Sequence, residues 1–393
     1  MVRKESKIKK FTEYFLIIAL YYVTGGAFSY TKYSLQITVF FVVSFFLCCV
    51  LGEIHKIILK NVFLPWMLMS VFIFIVPLLW NDSITTYIAI IMQLSIGLFC
   101  AAIIPLCNFI DKYINIIVVF AAISLVGFII GMIQPSVALL FPVTIGDASV
   151  DYHNAFIYVF MTPKGYGTFR LMTRNAGICW EPGCYQMFLN VGLFFLLEKQ
   201  LYVNQKLFIW KFLILMITII TTMSTTGIFL MSIIIIANWK VWVGLGTRSF
   251  VLIPVIIIAL IWALNYFSAD SFLTDKFTRE FGQDNAFLDR LSLSKIQYIF
   301  SNSGIPYIFG MSFSKLLTKD ITLWNSVIHS FLCLGIPFTL FQLTGYWKGT
   351  KIMSSKSSLL FFIMILCAST ETLFWRVFFD TIAFYGWIYN KEY

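Results

Sequence analysis

Four groups of residues in this chain combine charged or titratable side chains with surroundings in which such groups are costly. The first is Arg174-Asn175-Ala176-Gly177-Ile178-Cys179-Trp180-Glu181-Pro182-Gly183, which runs directly into an apolar segment. Pro182 suits the first turn of a helix, because its missing N–H would be unbonded there anyway. Glu181 then stands at the positive end of that helix, a favourable place for a carboxylate. Two readings stand side by side: a capped, interfacial helix start, or an arginine and a carboxylate used in chemistry. Both charges are expensive at a membrane boundary unless paired or used. The second group is Asp289-Arg290 and the stretch to Gly310. A guanidinium there can hold a phosphate through two parallel hydrogen bonds, with a solvated helix face as the competing reading. The third is Asn325-Ser326-Val327-Ile328-His329-Ser330. His329 is either a packed residue near an apolar helix end or, since an imidazole titrates near neutrality, a general base. The fourth is Glu371 with Arg376, read first as a salt bridge tying a helical hairpin together. Asp380 lies deeper in the same apolar segment, where carboxylates are rare and mark function by default.

What is missing narrows the chemistry. No GxxxxGK[ST], HExxH or CxxC pair occurs, which argues against a P-loop ATPase or a zincin. The short segment Thr31 to Tyr33 lacks paired carboxylates, which disfavours lipid-linked glycosyltransferases that hold a metal there. The expectation is chemistry with no metal and no cofactor.

These residues must be positioned by elements that dissolve in lipid. The chain has 393 residues, 60% of them hydrophobic and 12% charged, with a mean hydropathy of +0.88. That is too little charge to solvate a surface of this size. In a bilayer only helices or closed barrels satisfy the backbone, and the apolar runs here are continuous rather than alternating. The fold expected is therefore an all-α polytopic integral membrane protein, with residues 1–393 forming a single membrane domain. Apolar runs near 13–30, 34–52, 62–80, 84–105, 113–133, 183–198, 207–223, 225–239, 249–267, 326–346, 357–370 and 373–389 make about twelve transmembrane helices. No A-x-A-like site follows the first run, so it is read as a retained span. The eight cysteines are mostly small apolar side chains within these runs. Cys179 and Cys184 flank Glu181-Pro182-Gly183, where a disulfide is the less favoured reading.

Charge sets the orientation. With both termini cytoplasmic, the inner side carries 17 Lys/Arg against 6 Asp/Glu, and the outer side 11 against 11, leaving Asp380 within a span. The inner side's +11, with 0 outside and −1 at Asp380, accounts for the whole net charge of +10, as the positive-inside rule requires, and nucleic acid is not a partner. Two outer segments are too long to be simple connections: a first long periplasmic loop at 134–182, and a second at 268–325. The second carries a candidate amphipathic helix from Asp284 to Phe300, with Leu288, Leu291 and Ile296 toward the membrane.

Taken together, these features resemble the bacterial O-antigen polymerase and O-antigen ligase superfamily. The likeness rests on the architecture and on four sparse motifs. They are Arg174…Gly177…Glu181-Pro182-Gly183, the turn Ser224-Thr225-Thr226-Gly227, the stretch from Arg290 to Gly310, and His329 with Gly335-Ile336. The chain departs from the family in having Gly310-Met311-Ser312 where a paired-glycine turn is common, and Tyr185 where some polymerases carry a glycine. The resemblance implies metal-independent, inverting glycosyl transfer at the outer face of the bacterial inner membrane, in lipopolysaccharide or other surface polysaccharide biosynthesis. The donor would be an oligosaccharide held on undecaprenyl pyrophosphate. In a polymerase the acceptor is another lipid-linked repeat unit; in a ligase it is the lipid A–core. Arg174 and Arg290 would contact pyrophosphate, and Glu181 or His329 would orient or deprotonate the acceptor hydroxyl, with Glu371 and Arg376 in support. Membrane lipid and a chain-length regulator protein are the further partners such a role brings. Polymerase is the favoured reading. A polysaccharide flippase is the alternative of a different class, and it predicts internal repeats and Gly/Pro-broken helices at matched positions.

Overall fold

The computed structural model describes residues 7–27, 33–52, 62–144, 150–163, 174–199, 205–239, 241, 308–318, 325–371 and 373–389. Within them the chain is mostly helical: α1 (Lys7–Gly25), α2 (Tyr33–Val50), α3 (Phe63–Trp80), α4 (Ile84–Ile103), α5 (Leu106–Ile133), α6 (Pro182–Glu198), α7 (Gln205–Thr221), α8 (Thr225–Ala237), α9 (Phe313–Thr318), α10 (Ser326–Met353), α11 (Ser357–Thr370) and α12 (Val377–Ile388). Four of them, α3, α4, α5 and α10, are long and apolar enough to cross a membrane, as in a helical membrane protein. α3 shows why the helical form is required: Leu64, Leu68, Val71, Leu78 and Leu79 are exposed, so its surroundings offer its backbone no partner but itself. Each expected apolar run except 249–267, which lies outside the described residues, overlaps a described helix.

The expectation of a purely helical fold needs one correction. After α5 come a short 3-10 segment (Pro135–Leu140) and a three-stranded antiparallel sheet of β1 (Val143–Thr144), β2 (Val150–Asn154) and β3 (Val159–Pro163), in the order β1-β2-β3. Tyr152 pairs with Met161 and His153 with Phe160 across β2 and β3. Aromatic and β-branched residues suit such a pleated, half-buried surface.

The chain divides into two compact units. One comprises Met1–Thr24, Lys32–Lys112 and Leu288–Tyr393. Its closest helix crossing is between α10 and α12, where Gly345 and Gly349, spaced G-x-x-x-G, meet Gly386; a Cβ on Gly386 would lie 2.5 Å from the Gly349 nitrogen. Small residues let membrane helices approach until their backbones touch. α4 packs on α12 in the same way: a Cβ on Gly97 would lie 2.7 Å from that of Asp380, and the Tyr385 hydroxyl donates to the Ile104 carbonyl at 2.8 Å. Lys112 and Glu13 form a buried ion pair. α10 is broken at Gly335, whose φ of 83° and ψ of 177° no L-residue adopts easily, and Pro337 follows. The backbone freed there is used: the Met311 N–H donates to the Leu332 carbonyl.

The other unit comprises Gly25–Thr31 and Tyr113–Phe287. α6 is its buried axis. Tyr113 on α5 donates to the Phe188 carbonyl of α6 at 3.0 Å, and Asn190 on α6 donates to the Gly227 carbonyl at the start of α8 at 3.2 Å. Gly227 sits within the first turn of α8, which Ser224 caps by accepting its N–H at 3.3 Å.

Candidate functional site

In the second unit the Arg174–Gly183 segment is held by one buried polar network. Asn175, fully buried, donates through Nδ2 to Ser124 Oγ at 3.2 Å and to Thr221 Oγ1 at 3.1 Å. Its Oδ1 accepts the Gly177 N–H at 2.9 Å. Tyr185 donates to the same Ser124 Oγ at 3.0 Å, and the Asn175 N–H donates to the Thr221 carbonyl at 2.9 Å. Gly177 is required twice over. Its φ is 57°, and a Cβ there would lie 2.5 Å from a Tyr185 ring atom. The segment is thus pinned to α5, α6 and α7, and each of its charges is placed from that anchor.

Arg174 is half-buried. Its Nε donates to the Thr222 carbonyl at 3.3 Å, and the residue lines a small cleft with Phe128, Gly131, Met132, Tyr158, Phe160 and Met161. Glu181 occupies the N-cap position of α6, with Pro182 opening the helix, as expected from the sequence. Its carboxylate, however, makes no cap hydrogen bond. The capping reading therefore fails for the side chain, although its backbone carbonyl accepts from Cys184 and Tyr185, each at 3.1 Å. Cys179 and Cys184 are buried and do not form a disulfide.

The first unit gathers the third and fourth groups. Asn325 caps α10, accepting the N–H groups of Val327 and Ile328 at 3.1 and 3.2 Å. His329 is boxed by aromatic rings: Trp375 at 5.0 Å and Phe313 at 5.5 Å between centroids. Its Nδ1 is buried and has no hydrogen-bond partner among the described residues, so no group there orients it as a base. Glu371 follows the end of α11 and Arg376 occupies the N-cap position of α12, both buried, and the Arg376 N–H donates to the Leu373 carbonyl at 2.9 Å. Trp375 thereby joins the His329 box to the Glu371–Arg376 turn. Asp380, fully buried, accepts from Gln342 Nε2. Arg290 and the candidate amphipathic helix from Asp284 to Phe300 lie outside the described residues.

Two features had escaped the sequence reading. One is Asn175, which lies inside the first group but was given no role there. The other is Asp82, in the α3–α4 turn of the first unit. Its carboxylate accepts from Ser83 N–H at 2.7 Å, Tyr87 hydroxyl at 2.9 Å and Ser314 N–H at 3.4 Å. Trp80 Nε1 donates to the Gly310 carbonyl at 2.8 Å, and Lys315 lies 3.6 Å over the Trp80 ring. This turn latches residues 310–315. Burial acts to raise the Asp82 pKa, but the hydrogen bonds from Ser83, Tyr87 and Ser314 together outweigh it and hold the carboxyl below its ordinary value.

No protein-family model matches the chain, and neither does any curated protein or solved structure. The functional reading rests on the chain's own residues.

Proposed function

We propose that the chain is a polysaccharide polymerase of the O-antigen type, a metal-independent glycosyltransferase of about twelve spans in the bacterial inner membrane with both termini cytoplasmic. It transfers a glycan from undecaprenyl pyrophosphate to a second lipid-linked repeat unit. The observation that carries this reading is the Arg174–Gly183 segment. A network with every Asn175 side-chain bond made fixes an arginine lining an aromatic cleft and, seven residues on, a carboxylate that spends nothing on capping its helix. In the reaction the acceptor hydroxyl attacks the anomeric carbon and gives its proton to Glu181. The bond from that carbon to the pyrophosphate oxygen breaks, and the lipid pyrophosphate departs with the electron pair, its charge stabilised by Arg174. Arg290 remains the second candidate for the pyrophosphate. Of the two candidate bases Glu181 is better supported, because the His329 ring is enclosed by Phe313 and Trp375. Glu371 and Arg376 support the His329 region.

The transporter reading gains one observation, the break of α10 at Gly335 and Pro337. It lacks the matching break, since among the described residues the other helix with an interior proline, α3 at Pro77, keeps its course. The decisive experiment is complementation of a null strain. Arg174→Ala and Glu181→Gln should each abolish long-chain glycan while protein levels hold. Unchanged chains on a gel would remove the altered residue from the site, and glycan transferred to lipid A–core as single units only would favour the ligase.

A further inference from the structure

The small sheet that follows α5 carries an inference independent of the glycosyl-transfer reading. The last charges of α5 are Asp111 and Lys112; the twenty residues from Ile114 to Ile133 carry none. At 1.5 Å per residue they measure about 30 Å, the thickness of a bilayer's hydrocarbon core, so Ile133 marks one membrane boundary. The chain then packs back against α5. The Tyr158 ring lies flat on Gly127, where a Cβ would come within 2.6 Å of it. Gly127 precedes Ile133 by six residues, which puts it about 9 Å deeper. Tyr158, Phe160 and Ala138 form an apolar cluster with Phe128, Val137, Phe141 and Ala155, so the β2–β3 hairpin folds back along the last turns of α5.

The hairpin tip, Ala155-Phe156-Ile157, has two properties that suit lipid and not water. The N–H groups of the tip residues are bonded to protein, which lowers the cost of placing a non-helical segment in a bilayer. Asn154, Ala155, Ile157 and Val159 donate their N–H groups to the carbonyls of Pro142, Tyr158, Ala155 and Gly177, at 2.8 to 3.1 Å. Phe156 N–H donates to Asn154 Oδ1 at 2.7 Å. Meanwhile its apolar side chains point outward. Phe156 is 59% exposed and Ile157 45%, beside Leu139, Leu140 and Val143, which are also exposed. Phe156 does this from a φ of 69°, a left-handed conformation costly for a bulky residue. The exposed tip continues the bare apolar face of α5 formed by Ile129, Ile130, Met132 and Ile133. We propose that the hairpin is a re-entrant membrane element whose Phe156 and Ile157 sit among the acyl chains of the leaflet at which α5 ends. The cleft lined by Arg174, bounded by Phe128, Gly131 and Met132 of α5, then lies within that leaflet near its headgroups. A phosphorylated lipid presents its charge at that level, and this consequence alone bears on the proposed function.

The test is nitroxide accessibility in nanodiscs of phosphatidylethanolamine and phosphatidylglycerol. Cys49 and Cys107, the exposed native thiols, are replaced by serine. A label is then placed at Phe156→Cys or Ile157→Cys, two sites so that one poorly folded variant does not decide the matter. Ile130→Cys on the lipid face of α5 and Ser83→Cys in the exposed α3–α4 turn serve as references. Collisions with oxygen should exceed those with a water-soluble nickel chelate at both tip positions, as at Ile130→Cys. Nickel-dominated relaxation like that of Ser83→Cys would overturn the proposal, as would protection from both reagents, which would mean that protein covers the tip.

Discussion

Asn175→Ala gives the sharpest test of the network beneath the candidate site. The substitution removes two donated hydrogen bonds, each worth about 1 kcal/mol net, and leaves the Gly177 N–H without its acceptor. The two hydroxyls are not stranded, because Ser124 still donates to the Ala121 carbonyl and Thr221 to the Thr218 carbonyl. The loss therefore concentrates on Gly177, whose desolvated N–H costs about 1 to 3 kcal/mol more. A total of about 3 to 5 kcal/mol weakens the Arg174–Gly183 segment locally and raises the population of its open form by at least roughly a hundredfold, since 1.4 kcal/mol is a factor of ten. Native thiols report it. Cys179 and Cys184 are buried within or next to this segment, whereas Cys333 and Cys367 are buried in the other unit. Under native conditions a maleimide should modify Cys179 and Cys184 at least about a hundredfold faster in the variant, read by peptide mass spectrometry, with Cys333 and Cys367 unchanged. Acceleration below about fivefold, equivalent to 1 kcal/mol, would refute the anchoring argument. Equal acceleration at all four thiols would refute its locality.

Two further outcomes follow from the first unit. Gly335→Ala forces a Cβ onto the backbone of Phe309 and Gly310, 2.8 and 2.9 Å away, at a φ of 83°. It should cost at least about 3 kcal/mol and lower the thermal midpoint of thiol exposure; an unchanged midpoint would mean that the helix break is not fixed. Asp82 has a folded-state pKa below its unfolded one, so its contribution is present above the ordinary carboxylate range and is lost as pH falls through the lowered value. Wild type should therefore loosen at residues 310–315 as pH falls below the ordinary carboxyl value of 3.8, whereas Asp82→Asn should show a weaker latch with no such pH dependence. Cleavage by pepsin across that range would read the difference, and parallel profiles would exclude Asp82 as the titrating group.

The helices were legible because a 60% apolar chain leaves only charges and breakers to mark ends. Their limits were less so. α10 runs on to Met353 because Lys348 and Lys351 lie over the rings of Trp387 and Trp347, at 4.0 and 4.7 Å; long basic side chains thus ride an apolar helix without ending it. α1 is already helical at Lys7, ahead of the apolar run that starts at 13, because lysine is a good helix former whether or not the membrane has begun. The sheet after α5 was hidden by the polar letters of Val-Asp-Tyr-His-Asn, whose burial depends on partners in β1 and β3 that no local pattern reveals. The site was half legible. Glu181 and Pro182 announced a helix start through local chemistry. Asn175 did not, because its partners lie 51 and 46 residues away. The box around His329 likewise draws on Phe313 and Trp375 from separate elements.

Buried polar groups in the two units do different work, and their hydrogen bonds tell them apart. Around Asn175 both side-chain atoms are bonded and both hydroxyl partners donate elsewhere, so the network is closed and can only hold. At Asp380 the account is open. Gln342 serves one carboxylate oxygen, while Asp380 Oδ2, Gln342 Oε1 and both amide atoms of the buried Gln93 have no hydrogen-bond partner among the described residues. A scaffold gains nothing from such capacity, since each orphaned buried group costs about 1 to 3 kcal/mol. Groups in that state are completed by water or by a ligand. The closed network therefore belongs to the frame that aims Arg174 and Glu181.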